Sequence, residues 1–243
     1  MILNNSNSSL ANPWLDFLPS TSETLQLTKS LNDDLQSTCQ QHPHVFYAFG
    51  VLPSAASPVT AWLDTIEHIS KLSHLRGVIL GTKGLGKGLD DPDLDPIWSS
   101  LQKHNLMAFI HPHYGIGKDL YGEQENGHVL PLALGFPFET TIVSPFWKFA
   151  DKAISRLILA GTFDRFPELR LLLAHSGGTI PFLAGRLDSC VAHDPTVRDR
   201  LNHEPSWYLK KLYYDGVGYH APALKLAREL VGADRIMFGW VTP

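Results

Sequence analysis

The stretch Leu106-Met-Ala-Phe-Ile-His111-Pro-His113 is an apolar run that stops abruptly at histidine. Leu169-Arg-Leu-Leu-Leu-Ala-His175-Ser-Gly-Gly178 repeats the arrangement later in the chain. A short apolar run of this kind reads as a strand buried on both faces, which is the habit of parallel sheets. In α/β barrels and open parallel sheets alike, active sites gather at the carboxyl ends of the strands. Imidazole placed there can bind a metal or move a proton near neutral pH. His111 and His175 are therefore the first candidate site residues, and the chain reads as an enzyme or the remnant of one.

Working outward, further strands are predicted at residues 45–52 (VFYAFGVL), 77–80, 212–215 and 235–238, with another near the start at 9–12. Helical patterns fall between them. Pro58 opens one that carries Trp62, Ile66, Ile69 and Leu72, and Pro92 starts one that carries Ile97, Trp98 and Leu101; proline suits a first helical turn and the apolar spacing is helical. A helical stretch broken at Pro145 reaches Phe163, and 181–192 and 221–231 are two more. The long segment 115–135 reads as an active-site loop, with Tyr114, Tyr121 and His128 at or on it. Strands alternating with helices imply right-handed parallel crossovers, which leaves a barrel or an open doubly wound sheet. The loop GTKGLGKG (81–88) argues against nucleotide binding. Gly84 and Gly86 lack a third glycine at the required spacing, and no Gly-Lys-Ser/Thr occurs.

Composition narrows the class. The 243 residues fit one domain, 1–243, with 44% hydrophobic and 18% charged residues. A net charge of −4 and a pI near 6.3 give no reason to expect nucleic acid or an anionic membrane as partner. Two cysteines, Cys39 and Cys190, are too few for a disulfide framework and suit a reducing compartment. No apolar run approaches the roughly 20 residues that span a bilayer, and the opening MILNNSNSS lacks the basic and apolar regions of a signal peptide. A cytoplasmic protein is expected.

Several stretches carry a resemblance: SLANPWLDFL (9–18), RGVILGTKGLGKGLDDP (76–92), FIHPHYG (109–115), GHVLPLALGFPFETT (127–141), AGTFDRFPELRLLLAHSGGTIPFLAGRLDS (160–189) and ADRIMFG (233–239). In the same order along most of the chain, they resemble the amidohydrolase-related decarboxylases, the family of aminocarboxymuconate-semialdehyde decarboxylase. The likeness extends to fungal uracil-5-carboxylate and 6-methylsalicylate decarboxylases. The resemblance implies a distorted (β/α)8 TIM-like barrel with one divalent metal, zinc or another such as manganese. It implies that His111 is a metal ligand and that His175 handles the proton beside it. Arg186 falls where the family keeps an arginine for the substrate carboxylate, a pairing guanidinium makes in bidentate fashion. His113 and Tyr114 are expected in the substrate pocket.

The chain also departs from the family pattern. The His-x-His pair of the first strand is absent, and Val241 stands where a ligand aspartate belongs. The segment around SPFWKFADK (144–152) adds residues. The expectation is a partial barrel lacking the first strand and the last helix, with one of four family ligands present and metal held weakly. Asp215, ending Tyr-Tyr-Asp, is read either as a carboxylate supporting a ligand histidine or as a buried structural polar group. Glu139 reads as a helix-start carboxylate.

The function expected is metal-dependent, non-oxidative decarboxylation of an aromatic or heteroaromatic carboxylic acid. The alternatives are a hydrolase of the same barrel type and a catalytically inactive member. A small-molecule carboxylic acid is the expected partner, and family members pair as homodimers.

Overall fold

The computed structural model describes residues 6–9, 15, 18–111 and 153–237. Strand β1 (Ser6–Ser9) is followed by helix α1 (Ser22–Gln40), strand β2 (Phe46–Val51), helix α2 (Val59–Ser70) and strand β3 (Leu75–Gly81). A single 3-10 turn (Pro92–Leu94) leads into α3 (Asp95–Lys103) and then β4 (Met107–His111). Beyond the undescribed segment come α4 (Ala153–Leu159), α5 (Thr162–Arg165) and β5 (Arg170–Leu173). A 3-10 turn (His175–Gly177) precedes α6 (Ile180–Ala192), α7 (Pro195–Arg198) and α8 (Pro205–Leu209). The described chain closes with β6 (Tyr213–Asp215), α9 (Ala221–Val231), a 3-10 turn (Ala233–Arg235) and β7 (Ile236–Met237).

The seven strands among the described residues are all parallel and stand in sequential order, β1 to β7. That order decides between the two architectures left open above. A doubly wound sheet reverses its strand order at a switch point, whereas each crossover here moves one strand further in the same direction. The result is a curled part-barrel with helices on one side.

Two apolar layers follow from strand alternation. Ala48, Val78, Leu80, Ala108, Ile110, Leu171, Leu173 and Tyr214 join the helix-facing core, where Ile66, Ile69, Trp98, Leu101, Ile154 and Leu157 are also buried. The opposite face carries a smaller cluster of Phe49, Ile79, Met107 and Leu172, against which Phe109, Tyr213 and Met237 pack. Burial on both faces is why these strands read as continuous apolar runs.

Helix α1 has no counterpart among the elements predicted from sequence. Its buried stripe is Thr24, Thr28, Asn32, Gln36 and Cys39, correctly spaced for a helix but mostly polar, so hydrophobic periodicity passes it over. These polar groups are hydrogen-bonded, Thr24 and Thr28 to nearby carbonyls and Asn32 and Gln36 to partners further along the chain. Asn32 donates from Nδ2 to the Val51 carbonyl at 3.0 Å and accepts the Val51 N–H at 2.7 Å. The first strand lies at Ser6–Ser9, earlier than predicted, pairing with Phe46–Phe49. The helix expected to reach Phe163 resolves into α4 and α5, hinged at Gly161 in the left-handed region at φ 68°.

The glycine-rich loop after β3 is braced rather than open. Arg156 on α4 pairs with Asp90 at 2.7 Å and donates to the Lys87 carbonyl at 3.2 Å. Leu89 and Leu94 are buried beneath it. Lys87 pairs with Asp93 at 2.9 Å.

Candidate active site

Strands β4, β5 and β6 are neighbours, so their carboxyl ends bring three polar residues together. His111 ends β4 beside Gly81 of β3. His175 lies just beyond β5, and Asp215 ends β6 beside Met237. Phe109 and Tyr213 pack on the inner cluster. Alternation therefore places His111 and Asp215, two residues further on, on the same inner face.

The two histidines meet. Their ring centroids are 5.3 Å apart at an interplanar angle of 63°, edge to face. Phe109 stands edge-on to His111 at 5.8 Å and contacts Phe49 at 5.5 Å, giving the histidine an aromatic floor. Burial lowers His175 to about 4, so its imidazole is uncharged at neutral pH. An uncharged imidazole offers one N–H and one lone pair, the form needed to hold a proton in place or to bind a metal.

His175 is not a plain strand end. It enters a 3-10 turn in which His175 and Ser176 have φ of 56° and 55°, both left-handed. Gly177 and Gly178 continue the turn at φ 74° and 57°. Gly177 is pressed against the Tyr214 ring, where an added Cβ would come within 2.4 Å. The Ser-Gly-Gly after His175 was the visible signal for this close approach, and the inward role of Tyr214 was not visible.

Asp215 is buried. Its Oδ1 accepts the N–H of Ser176 at 2.8 Å and of Val217 at 3.0 Å, while the Ser176 hydroxyl donates to the Asp215 carbonyl at 3.0 Å. Burial raises the carboxyl above its ordinary range, against the lowering pull of these backbone N–H groups, that of His175, and the nearby His111. Arg186 lies exposed on α6. His113, Tyr114, Tyr121, His128, Glu139 and Val241 fall outside the described residues.

The donor chemistry suits a metal in part. His111 is an imidazole on the inner face, which a divalent ion accepts readily. Among the described residues, however, no three His, Cys, Asp or Glu side chains converge as a metal site, and a catalytic zinc takes about three protein ligands. The described residues thus supply one ligand position rather than a coordination sphere.

Sequential parallel strands with paired histidines at their carboxyl ends define an α/β chain of the barrel type. Residues 21–239 match the family described as Amidohydrolase, and the chain belongs to that family. It is similar to the 2-amino-3-carboxymuconate-6-semialdehyde decarboxylase of Dictyostelium discoideum, at 29% identity over 218 residues that cover 89% of this chain and 56% of the relative. Among solved structures it resembles the apo form of IDCase from Metarhizium anisopliae, at 46% identity and a TM-score of 0.86, over 97% of this chain and 61% of that one. A 5-carboxyvanillate decarboxylase from Novosphingobium aromaticivorans, complexed with manganese and 4-hydroxy-3-methoxy-5-nitrobenzoic acid, shares the fold. Its TM-score is 0.74 at 22% identity, over 99% of this chain and 66% of that one. The chain thus spans a little over half to two thirds of the length of these relatives.

Among the described residues, no helix is long and apolar enough to cross a membrane.

Proposed function

We propose that this chain forms part of the active site of a metal-dependent, non-oxidative decarboxylase of aromatic or heteroaromatic carboxylic acids, uracil-5-carboxylate foremost. The observation that carries this reading is the His111–His175 pair, 5.3 Å apart at adjacent strand ends, in a chain 46% identical to IDCase, an isoorotate decarboxylase. His111 is assigned to the metal, zinc or manganese, which when bound supplies Lewis-acid stabilisation of charge in the substrate.

His175 is the proton-handling group. Its uncharged imidazole gains proton affinity as a substrate carboxylate enters beside it, because an opposite charge favours imidazolium. The proton then passes from a His175 ring nitrogen to the ring carbon that bears the carboxylate. The C–C bond breaks, its electron pair returns to the ring, and carbon dioxide leaves. His113 and Tyr114 are assigned to the substrate pocket and Arg186 to the carboxylate. Asp215 supports the site from β6. A reducing, cytoplasmic setting suits the free cysteines Cys39 and Cys190, and pairing of two copies belongs to the same reading.

The test is product identity. Incubated with 5-carboxyuracil and either metal, the protein, with its metal weakly held, is expected to turn over slowly and to release carbon dioxide and uracil in equal amounts. Ring-opened product without carbon dioxide assigns the site to hydrolysis instead, and no turnover of any kind in the metal-loaded protein assigns the chain to the inactive members.

A further inference from the structure

We infer that Asp215 is the positioning residue of the site, fixing through one carboxylate oxygen the left-handed turn that presents His175. The inference rests on the reading of His175 as the proton-handling group and specifies what holds that group in place.

Left-handed backbone is unfavourable for residues that carry a Cβ, and His175 and Ser176 adopt it in succession at φ 56° and 55°. Such a turn persists only where its surroundings over-determine it. Asp215 supplies the determination. Its Oδ1 takes the Ser176 N–H at 2.8 Å and the Val217 N–H at 3.0 Å, so one atom ties the turn after β5 to the turn after β6. The Ser176 hydroxyl returns a bond to the Asp215 carbonyl at 3.0 Å. Gly218 completes the lock, since a Cβ there would come within 2.8 Å of Ser176 Oγ. Because Oδ1 alone accepts the N–H groups of Ser176 and Val217, an amide oxygen at the same place can keep both of these bonds. The positioning role therefore needs an acceptor and not a charge, which separates it from a role in catalysis by the carboxylate itself.

The experiment compares Asp215→Asn, Asp215→Ala and Ser176→Ala with the wild type. The primary readout is the His175 imidazole resonances in ¹H–¹⁵N NMR spectra at fixed neutral pH, with turnover of 5-carboxyuracil measured in parallel on metal-loaded protein. Asp215→Ala is expected to move and broaden the His175 resonances and to lower kcat about a hundredfold, the scale of a misplacement near 1 Å, with KM changed less than about threefold. Asp215→Asn is expected to return those resonances to their wild-type positions. Ser176→Ala, which removes one brace and leaves the chain otherwise intact, is expected to shift the same resonances by a smaller amount. If Asp215→Ala does not fold, the Ser176→Ala and Asp215→Asn pair decides. Asp215→Asn disturbing His175 as much as Asp215→Ala, or more than Ser176→Ala, overturns the inference, as does an unchanged His175 in Asp215→Ala. Wild-type protein without turnover counts against the decarboxylase reading alone, and the resonance comparison still decides this one.

Discussion

Gly177 lies against the aromatic ring of Tyr214 so closely that a Cβ at Gly177 would stand 2.4 Å from Cε1 and 2.6 Å from Cδ1. Tyr214 is fully buried in the helix-facing core, and its hydroxyl donates to the Leu209 carbonyl at 3.1 Å. The ring is therefore fixed at both ends. The turn bearing His175 rests on the core with no room for adjustment, and Gly177 is left-handed at φ 74° as well.

Gly177→Ala is expected to destabilise the fold by about 2–5 kcal/mol, combining left-handed strain with overpacking. Urea denaturation monitored by tryptophan fluorescence measures it. A loss under about 1 kcal/mol would show that the turn can move off Tyr214.

Asn32 makes a second fixed point on the far side of the sheet. It is fully buried on α1 and satisfies both backbone groups of Val51 beyond the end of the β1–β2 ladder. In effect its amide extends the sheet edge by one pair of bonds. Asn32→Ala strands a buried N–H and a buried C=O, at about 1–3 kcal/mol for such groups. The expected loss is about 2–4 kcal/mol in the same denaturation experiment, and a neutral result would mean that water reaches the edge of β2.

The partly buried His175 makes stability depend on pH in a defined direction. Its folded pKa is depressed to about 4, against an ordinary value of 6.5. Above 6.5 the group is neutral in both states. As pH falls from 6.5 towards 4 the unfolded chain takes up a proton that the folded protein resists, so stability is lost through that window. The metal-free wild type should lose on the order of 2–3 kcal/mol more than His175→Asn between pH 7 and pH 4. Taking the difference cancels the opposite contribution of Asp215, which both proteins share. Parallel pH curves for the two would contradict the assignment of a neutral imidazole in the folded protein.

Arg156 braces the glycine-rich loop from outside through Asp90 and the Lys87 carbonyl. The pair is partly exposed, with side-chain accessibilities of 35% and 21%, so its worth to global stability is small, about 1 kcal/mol or less. Its effect is local. Arg156→Gln should speed tryptic cleavage after Lys83 or Lys87 several-fold while leaving the denaturation midpoint nearly unchanged. Equal cleavage rates would show that Leu89 and Leu94 hold the loop without help.

The legibility of this chain in its sequence followed the chemistry of each buried face. β4 and β5 were plain because both of their faces are apolar, and their terminal histidines marked the mouth of the site. α1 was silent because Thr24, Thr28, Asn32 and Gln36 bury polar atoms whose partners, such as Val51 and the His74 backbone, lie far along the chain. Barrel and doubly wound sheet share one strand-helix alternation, and only the spatial order of the strands distinguishes them. His111 and His175 were found separately by the same rule, yet their contact depends on the left-handed turn at 175–178, which two glycines hint at and Tyr214 enforces. The hydrogen bonds of Asp215 to the backbone of that turn could not be read from Tyr-Tyr-Asp, because their geometry belongs to two strands at once.

His111 and His175, in ring contact at adjacent strand ends, are assigned to one metal-binding site. The most direct measurement is a titration of substoichiometric Mn²⁺ into the ¹⁵N-labelled protein, following paramagnetic broadening of the histidine side-chain resonances. His111 and His175 are expected to broaden together and first among the 12 histidines, and His111→Ala to abolish the effect at both. Broadening that begins instead at the carboxylate-paired, half-buried histidines His68 and His104, with His111 and His175 unaffected, would contradict this assignment.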